Sequence, residues 1–134
     1  MRAFILLATL ISLTSPALAA DDVANARGVI RSQEQALGRD DAATAYSYAA
    51  PAIRDMFPQA DIFLSMVQRS YAPVYRHKSF EFGEVQIADG KIAQRVHIVD
   101  ADGNAWEALY TLEPQPDGSL KIIGCVLLKA GQDV

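Results

Sequence analysis

"KIAQRVHIVDADGNAWEALYTL", residues 91–112, is the stretch that decides the fold. Apolar and polar side chains alternate along both of its halves, and this period of two is typical of half-buried β-strands. Asp102-Gly103 interrupts the alternation and favours a tight turn between paired strands. The stretch therefore predicts an antiparallel hairpin. One face of that hairpin carries Ile92, Gln94, Val96, Ile98, Trp106, Ala108, Tyr110 and Leu112.

The same strand pattern extends to both sides of this hairpin. Asp89-Gly90 and Asp117-Gly118 are two further turn signals. In the first strand the apolar positions shift parity beside Gly83, which predicts a β-bulge. The second half of the chain thus predicts an antiparallel meander. Its four strands lie near residues 78–88, 91–100, 104–113 and 119–129.

The first half of the chain has a helical period instead. One helix is predicted to begin at Asp21 or Asp22, a second spans residues 42–49, and a third begins near Asp61. Pro51 favours a short helical turn between the last two. The predicted fold class is α+β, with three N-terminal helices packed on a curved four-stranded antiparallel meander.

The N-terminus has the features of a secretory signal peptide. Arg2 precedes the apolar run 3–13, and small residues follow up to Ala19. An apolar run of this length is too short to span a bilayer, which needs about 20 residues. We therefore expect cleavage after about Ala19 (signal peptide, residues 1–19), a single domain over residues 20–134, and a periplasmic or secreted protein with no stable membrane anchor after cleavage.

Charge and cysteine content restrict the partners. The chain has twelve Lys and Arg residues and 16 Asp and Glu residues, which gives a formal net charge of −4 at pH 7. This charge disfavours nucleic acid as a partner, because binding it needs a basic surface.

Cys125 is the only cysteine, so no internal disulfide can form. The thiol is either a reactive or intermolecular group, or a small buried hydrophobic side chain.

The helix-facing side of the sheet is the natural wall of an internal pocket. The polar groups expected there can hydrogen-bond a ligand, but none is a general base near neutral pH, which favours a non-catalytic domain that holds a small apolar molecule. In the segment before the sheet, Tyr71 is assigned to the core, while Pro73 is assigned to the end of the third helix. The candidate pocket lining is Tyr46, Tyr75, Gln94, Trp106 and Tyr110.

The opposite face of the sheet is mixed in character. Counting outward from the turns places Cys125 on it, together with Leu109, Ile123 and Leu127. Apolar residues surrounded by charges on an open sheet face suggest cover by a second subunit. The face is therefore either the contact surface of a homodimer through Leu109, Ile123 and Leu127, or a solvated face with a few isolated apolar residues.

An enzyme with its active site in the internal pocket is the alternative. A pocket tyrosine would polarise a substrate oxygen, and the missing base would come from the group Arg95, His97 and Glu107. That group lies on the open face in the predicted register and reaches the pocket only if the register is wrong by one residue.

The sequence predicts no metal and no cofactor. "DADGN", residues 100–104, spaces its oxygens like a calcium loop, but Ala105 stands at the sixth position and Thr111 at the twelfth, where such loops need glycine and glutamate. A hairpin turn is the better interpretation. His77 and His97 are far apart in the sequence, which disfavours zinc.

The chain also resembles a bacterial family of exported proteins catalogued as domain of unknown function 4864. The resemblance covers nearly the whole chain after the predicted signal peptide. The resemblance implies the cone-like α+β fold of the nuclear-transport-factor-2-like, cystatin-like superfamily, whose members include isomerases, dehydratases and cyclases as well as non-catalytic domains that bind ligands or dimerise. It implies no assigned activity. The stretches are "AYSYAAPAIRDMF", "FLSMVQRSYAPVYRHKSFEFG", "VHIVDADGNAWEALYTLEPQPDGS" and "KIIGCVLL".

Overall fold

A computed structural model describes residues 16–130, with side-chain surroundings from Ala20 onward. Most of the predicted signal peptide lies outside these residues. Among the described helices, none is long and apolar enough to cross a membrane. The elements are α1 (Pro16–Gly38), α2 (Ala42–Ser47), α3 (Pro51–Met56), α4 (Ala60–Ser70), α5 (Ala72–Tyr75), β1 (His77–Ala88), β2 (Lys91–Asp100), β3 (Ala105–Pro114) and β4 (Leu120–Lys129).

The helical half contains five helices in the described part of the chain, so the prediction of three was wrong. Pro51 and Pro73 each lie in the first turn of a short helix, α3 and α5. Proline is tolerated there because the first backbone N–H groups of a helix have no intrahelical partner. Pro73 therefore starts a helical turn and does not end α4. The first helix also begins before Asp21.

The sheet confirms the predicted meander. Its strand order is β1-β2-β3-β4, with antiparallel pairing throughout. Gln94 pairs with Tyr110 and Ile98 with Trp106, so the predicted inner face of the hairpin is confirmed. The register shift between Phe82 and Val85 is the bulge that the parity change predicted.

The predicted register of β4 was wrong beyond Ile122. A second bulge lies there, because Leu112 pairs with Ile122 whereas Thr111 pairs with Gly124. Ile123 is the extra residue, and it reverses the alternation of the side chains that follow it. The run over residues 122–128 is apolar on both faces, so its sequence carries no alternation that could reveal the bulge.

This bulge moves two residues to the inner face. Cys125 pairs with Tyr110 and Leu127 with Ala108, so both face the helices. Val126 faces outward instead and is 54% exposed. The expected dimer surface therefore loses Leu127 and retains Leu109, which pairs with Val126. Ile123, the third residue expected there, is the unpaired bulge residue and lines the cavity between the helices and the sheet.

The core lies between the helices and the inner face of the sheet. Ile30 and Leu37 of α1 and Phe63 and Val67 of α4 are buried against it. Each fully buried side chain of this size contributes about 1.5–3 kcal/mol to stability. The segment after α2 is fixed to β4 by the Ala50 N–H, which donates to the Ile122 carbonyl at 2.8 Å.

Candidate ligand-binding cavity

A cavity of about 440 Å³ separates the helices from β3 and β4. Residues of α1, α3 and α4 form its helical wall. Most of its wall is apolar. The apolar lining consists of Leu37, Ala49, Ile53, Met56, Phe57, Phe63, Met66, Val67, Val74, Ile122, Ile123 and Gly124.

Five polar side chains complete the lining: Gln33, Ser70, Tyr71, Tyr110 and Cys125. Two of them are held by the backbone. The Gln33 Nε2 group donates to the Ala45 carbonyl at 3.1 Å, and the Tyr71 hydroxyl donates to the Cys125 carbonyl at 2.9 Å. Tyr71 thus links the end of α4 to β4 across the cavity.

Burial keeps the ionisable groups of this lining neutral. Desolvation raises the pKa of the Cys125 thiol to about 12, although the neighbouring Tyr110 hydroxyl opposes the shift. Desolvation is also the main reason that the pKa of Tyr110 lies well above its ordinary value, with further contributions from Cys125 and Glu34. The pKa of Tyr71 is raised for the same reason. A thiol of this kind is a poor nucleophile, because the thiolate is the reactive form.

Of the five residues predicted to line a pocket, only Tyr110 lines this cavity. The Tyr46 hydroxyl instead donates to the carbonyl oxygens of Arg54 at 3.2 Å and Phe57 at 2.7 Å, so it fixes α3 in place. The Tyr75 hydroxyl hydrogen-bonds the Asp40 carboxylate on the surface.

Gln94 and Trp106 also form structural contacts elsewhere. Gln94 is fully buried, accepts from Arg27 Nε at 3.0 Å, and donates to the carbonyl oxygens of Gly83 and Glu84 in the β1 bulge. The Trp106 indole donates to the Asp100 carboxylate at 2.9 Å. Both side chains lie on the inner face, as predicted. Gln94 stabilises the β1 bulge, and Trp106 stabilises the turn at Asp100.

The group considered for catalysis lies outside the cavity. The Arg95 guanidinium is 3.3 Å from the Glu107 carboxylate, and the His97 imidazole is 3.8 Å from it on the outer sheet face. The His97 side chain is 59% exposed. This register agrees with the predicted one, so the three residues lie together on the surface of the sheet. Ion pairs between exposed side chains, such as Arg95 and Glu107, contribute little to stability.

The structure also places the acidic turn. Asp100 accepts hydrogen bonds from the backbone N–H groups of Asp102 and Asn104, at 3.0 and 2.8 Å, as a hairpin turn requires. No group of three or more His, Cys, Asp or Glu side chains within the described range is arranged to hold a metal ion.

Sequence reasoning missed most of the polar cavity lining. Tyr71 follows Phe63 and Val67 at intervals of four, and this spacing could have indicated that its ring reaches the same internal face. Cys125 was missed because the β4 bulge has no sequence signal. Gln33 was missed because a single glutamine on a helix carries no pattern.

Comparisons with known proteins give one match. The family model described as Domain of unknown function (DUF4864) matches residues 19–133. No curated protein and no solved structure matches the chain.

Proposed function

The chain belongs to this family, Domain of unknown function (DUF4864), and we propose that it binds a small, neutral, largely apolar molecule in the cavity between its helices and its sheet. The observation that carries the proposal is the cavity itself. Its volume of about 440 Å³ lies within the range of about 300–1,000 Å³ that ligand pockets occupy.

The lining determines the class of ligand. Among the described residues around the cavity, none carries a carboxylate, ammonium, guanidinium or imidazole group. An ion placed there would lose its hydration without gaining a partner of opposite charge, which is strongly unfavourable. The same lining offers no general base, and the raised pKa of Cys125 disfavours a nucleophile. We therefore favour binding over catalysis.

A route to the cavity lies beside α3. Met56 is 72% exposed and also lines the cavity, and Ser70 is exposed on the facing helix α4. An exposed apolar side chain at the rim is the arrangement expected where an apolar ligand passes from solvent into the protein.

Titration with N-phenyl-1-naphthylamine, a neutral dye that fluoresces in apolar surroundings, tests the proposal. The wild-type protein should bind one dye molecule, and Cys125→Phe, which places a ring in the cavity, should weaken binding roughly tenfold or more, about 1.4 kcal/mol. Val126→Phe is the matched control, because the neighbouring side chain faces outward, and its affinity should equal that of the wild type. Equal affinities of all three proteins would overturn the proposal.

We also propose that the protein acts after export. The features of residues 1–19 support this compartment, and cleavage after Ala19 would leave the buried residues Ala26 and Ile30 of α1 in the mature chain. The intact mass of protein recovered from a periplasmic extract tests it. A mass that still includes residues 1–19 would contradict cleavage.

Dimerisation through the outer sheet face is a second proposal. Two apolar residues of this face, Leu109 of β3 and Val126 of β4, pair with each other. Sedimentation analysis at high micromolar concentration should show a dimer that Val126→Lys abolishes, and a monomeric wild type would refute it.

We also propose that the fold is the cone-like fold of the nuclear-transport-factor-2-like superfamily. This proposal rests on the resemblance and on the sheet that the helices cover.

A further inference from the structure

Two of the polar cavity residues are almost wholly buried. Gln33 is 5% exposed and Tyr110 is 2% exposed, and they lie on opposite walls, α1 and β3. A polar side chain in such a place costs free energy unless it finds a hydrogen-bond partner. The partners of these two groups therefore indicate what the cavity is built to hold.

The Gln33 side chain uses only part of its hydrogen-bonding capacity. Its Nε2 donates to the Ala45 carbonyl, whereas no described residue donates to its amide oxygen. Among the described residues, every side-chain nitrogen or oxygen atom that is fully buried has a hydrogen-bond partner. The Gln33 amide oxygen has no such partner, so it is not fully buried. Since Gln33 lines the cavity, this oxygen is available to a hydrogen-bond donor inside the cavity.

Tyr110 supplies the complementary group. Its hydroxyl lies beside the Cys125 thiol and stays protonated, because its pKa is raised. The thiol sulfur is only a weak hydrogen-bond acceptor, so a ligand oxygen in the cavity can replace it as the acceptor. The charge of the Glu34 carboxylate contributes to that raised pKa. This carboxylate is already paired, with Arg31 at 2.8 Å and His77 at 2.9 Å. Its negative charge disfavours an anionic ligand at Tyr110, and its existing partners leave it unavailable to a cationic one.

We propose that Gln33 and Tyr110 form a head-group subsite for the hydroxyl of a neutral aliphatic alcohol, the chain of which lies along the apolar wall. The inference rests on the proposed ligand binding and adds the chemical class. The alcohol O–H donates to the Gln33 amide oxygen, and the alcohol oxygen accepts from the Tyr110 hydroxyl. A carboxylate can make only the second of these bonds and is also charged, and an alkane can make neither.

Displacement of bound N-phenyl-1-naphthylamine by 1-decanol and by decanoate at pH 8 tests the subsite. Decanol should displace the dye at roughly tenfold lower concentration than decanoate does, since one or two hydrogen bonds and a charge separate the two ligands. Tyr110→Phe and Gln33→Met should each weaken decanol binding by about 3- to 10-fold, which is more than either weakens dye binding. Tyr48→Phe removes a hydroxyl outside the cavity and should change neither.

The outcomes separate this inference from the proposed function. If the dye binds but decanol and decanoate compete equally, or if Tyr110→Phe leaves decanol affinity unchanged, the head-group subsite is refuted while ligand binding stands. If the dye does not bind the wild-type protein at all, both proposals fail. Thermal melting of each variant identifies any loss of binding that results from unfolding.

Discussion

Replacement of Gln94 by leucine separates a structural role from a ligand-binding one. Gln94 is 0% exposed, and its amide is hydrogen-bonded to the Arg27 guanidinium and to the carbonyl oxygens of Gly83 and Glu84. Leucine has a similar size but supplies none of these bonds. The substitution should therefore loosen the β1 bulge and leave the cavity unchanged.

The magnitude follows from the groups that lose a partner. Arg27 still donates to the Gly83 carbonyl at 3.3 Å, so that oxygen keeps one bond. The bonds of Gln94 to the Arg27 guanidinium at 3.0 Å and to the carbonyl oxygens of Glu84 and Arg95 at 3.2 and 2.7 Å are lost. With a net contribution of about 0.5–1.5 kcal/mol for each hydrogen bond, we expect the free energy of unfolding to fall by about 2–3 kcal/mol.

Urea unfolding followed by the emission of Trp106, the single tryptophan, measures this change. At a slope of roughly 1–3 kcal/mol per molar urea, the midpoint should fall by about 0.7–3 M while dye affinity in buffer stays at the wild-type value. Gln86→Leu is the matched control, because Gln86 is exposed on the same strand as the bulge, and it should alter stability by less than about 0.5 kcal/mol. A Gln94→Leu protein of wild-type stability that fails to bind dye would refute the structural role.

Three further predictions test the register and the electrostatics. With a thiol pKa of about 12 against an ordinary 9.0, native Cys125 should react with dithiobis-nitrobenzoate at pH 8 roughly a thousandfold more slowly than in the urea-unfolded chain; equal rates would contradict its burial. Leu127→Ala should lower the free energy of unfolding by about 1–2 kcal/mol, whereas Val126→Ala should change it by less than about 0.5 kcal/mol, and the reverse order would restore the register predicted from sequence. Hydrogen bonds, first of all from the Trp106 indole, lower the pKa of Asp100 below its unfolded value of 3.8. The ionised carboxylate therefore stabilises the fold above pH 3.8, and this contribution is lost as the pH falls through the lowered pKa. Between pH 6 and 2, the melting temperature should fall less steeply for Asp100→Ala than for the wild type, and parallel curves would argue against this contribution.

The sheet could be predicted from sequence wherever alternation was present. In β2 and β3 large apolar residues recur at every second position over much of each strand, so Gln94 and Tyr110 were assigned to the correct face. In β4 both faces are apolar beyond Ile122, and a bulge of one residue there has no signature in the sequence. The reassignment of Cys125 and Leu127 follows from that single extra residue.

The cavity was harder to predict than the fold, because it depends on how short helices pack. Tyr71 and Tyr75 are one turn apart, and the sequence favoured the wrong one for the pocket. The α5 turn that starts near Pro73 directs Tyr75 to the surface, where the Arg76 guanidinium lies 3.8 Å from its ring centroid. Helical spacing can place a ring on a face, but it cannot show whether a neighbouring element fills the space beside it.

Native mass spectrometry of protein purified from a periplasmic extract tests the central claim most directly. We expect a folded species that carries one additional neutral molecule, which is released on denaturation and is absent from Cys125→Phe but present on Val126→Phe. A wild-type protein that shows only its own polypeptide mass, and that gains no mass when incubated with decanol or N-phenyl-1-naphthylamine, would contradict it.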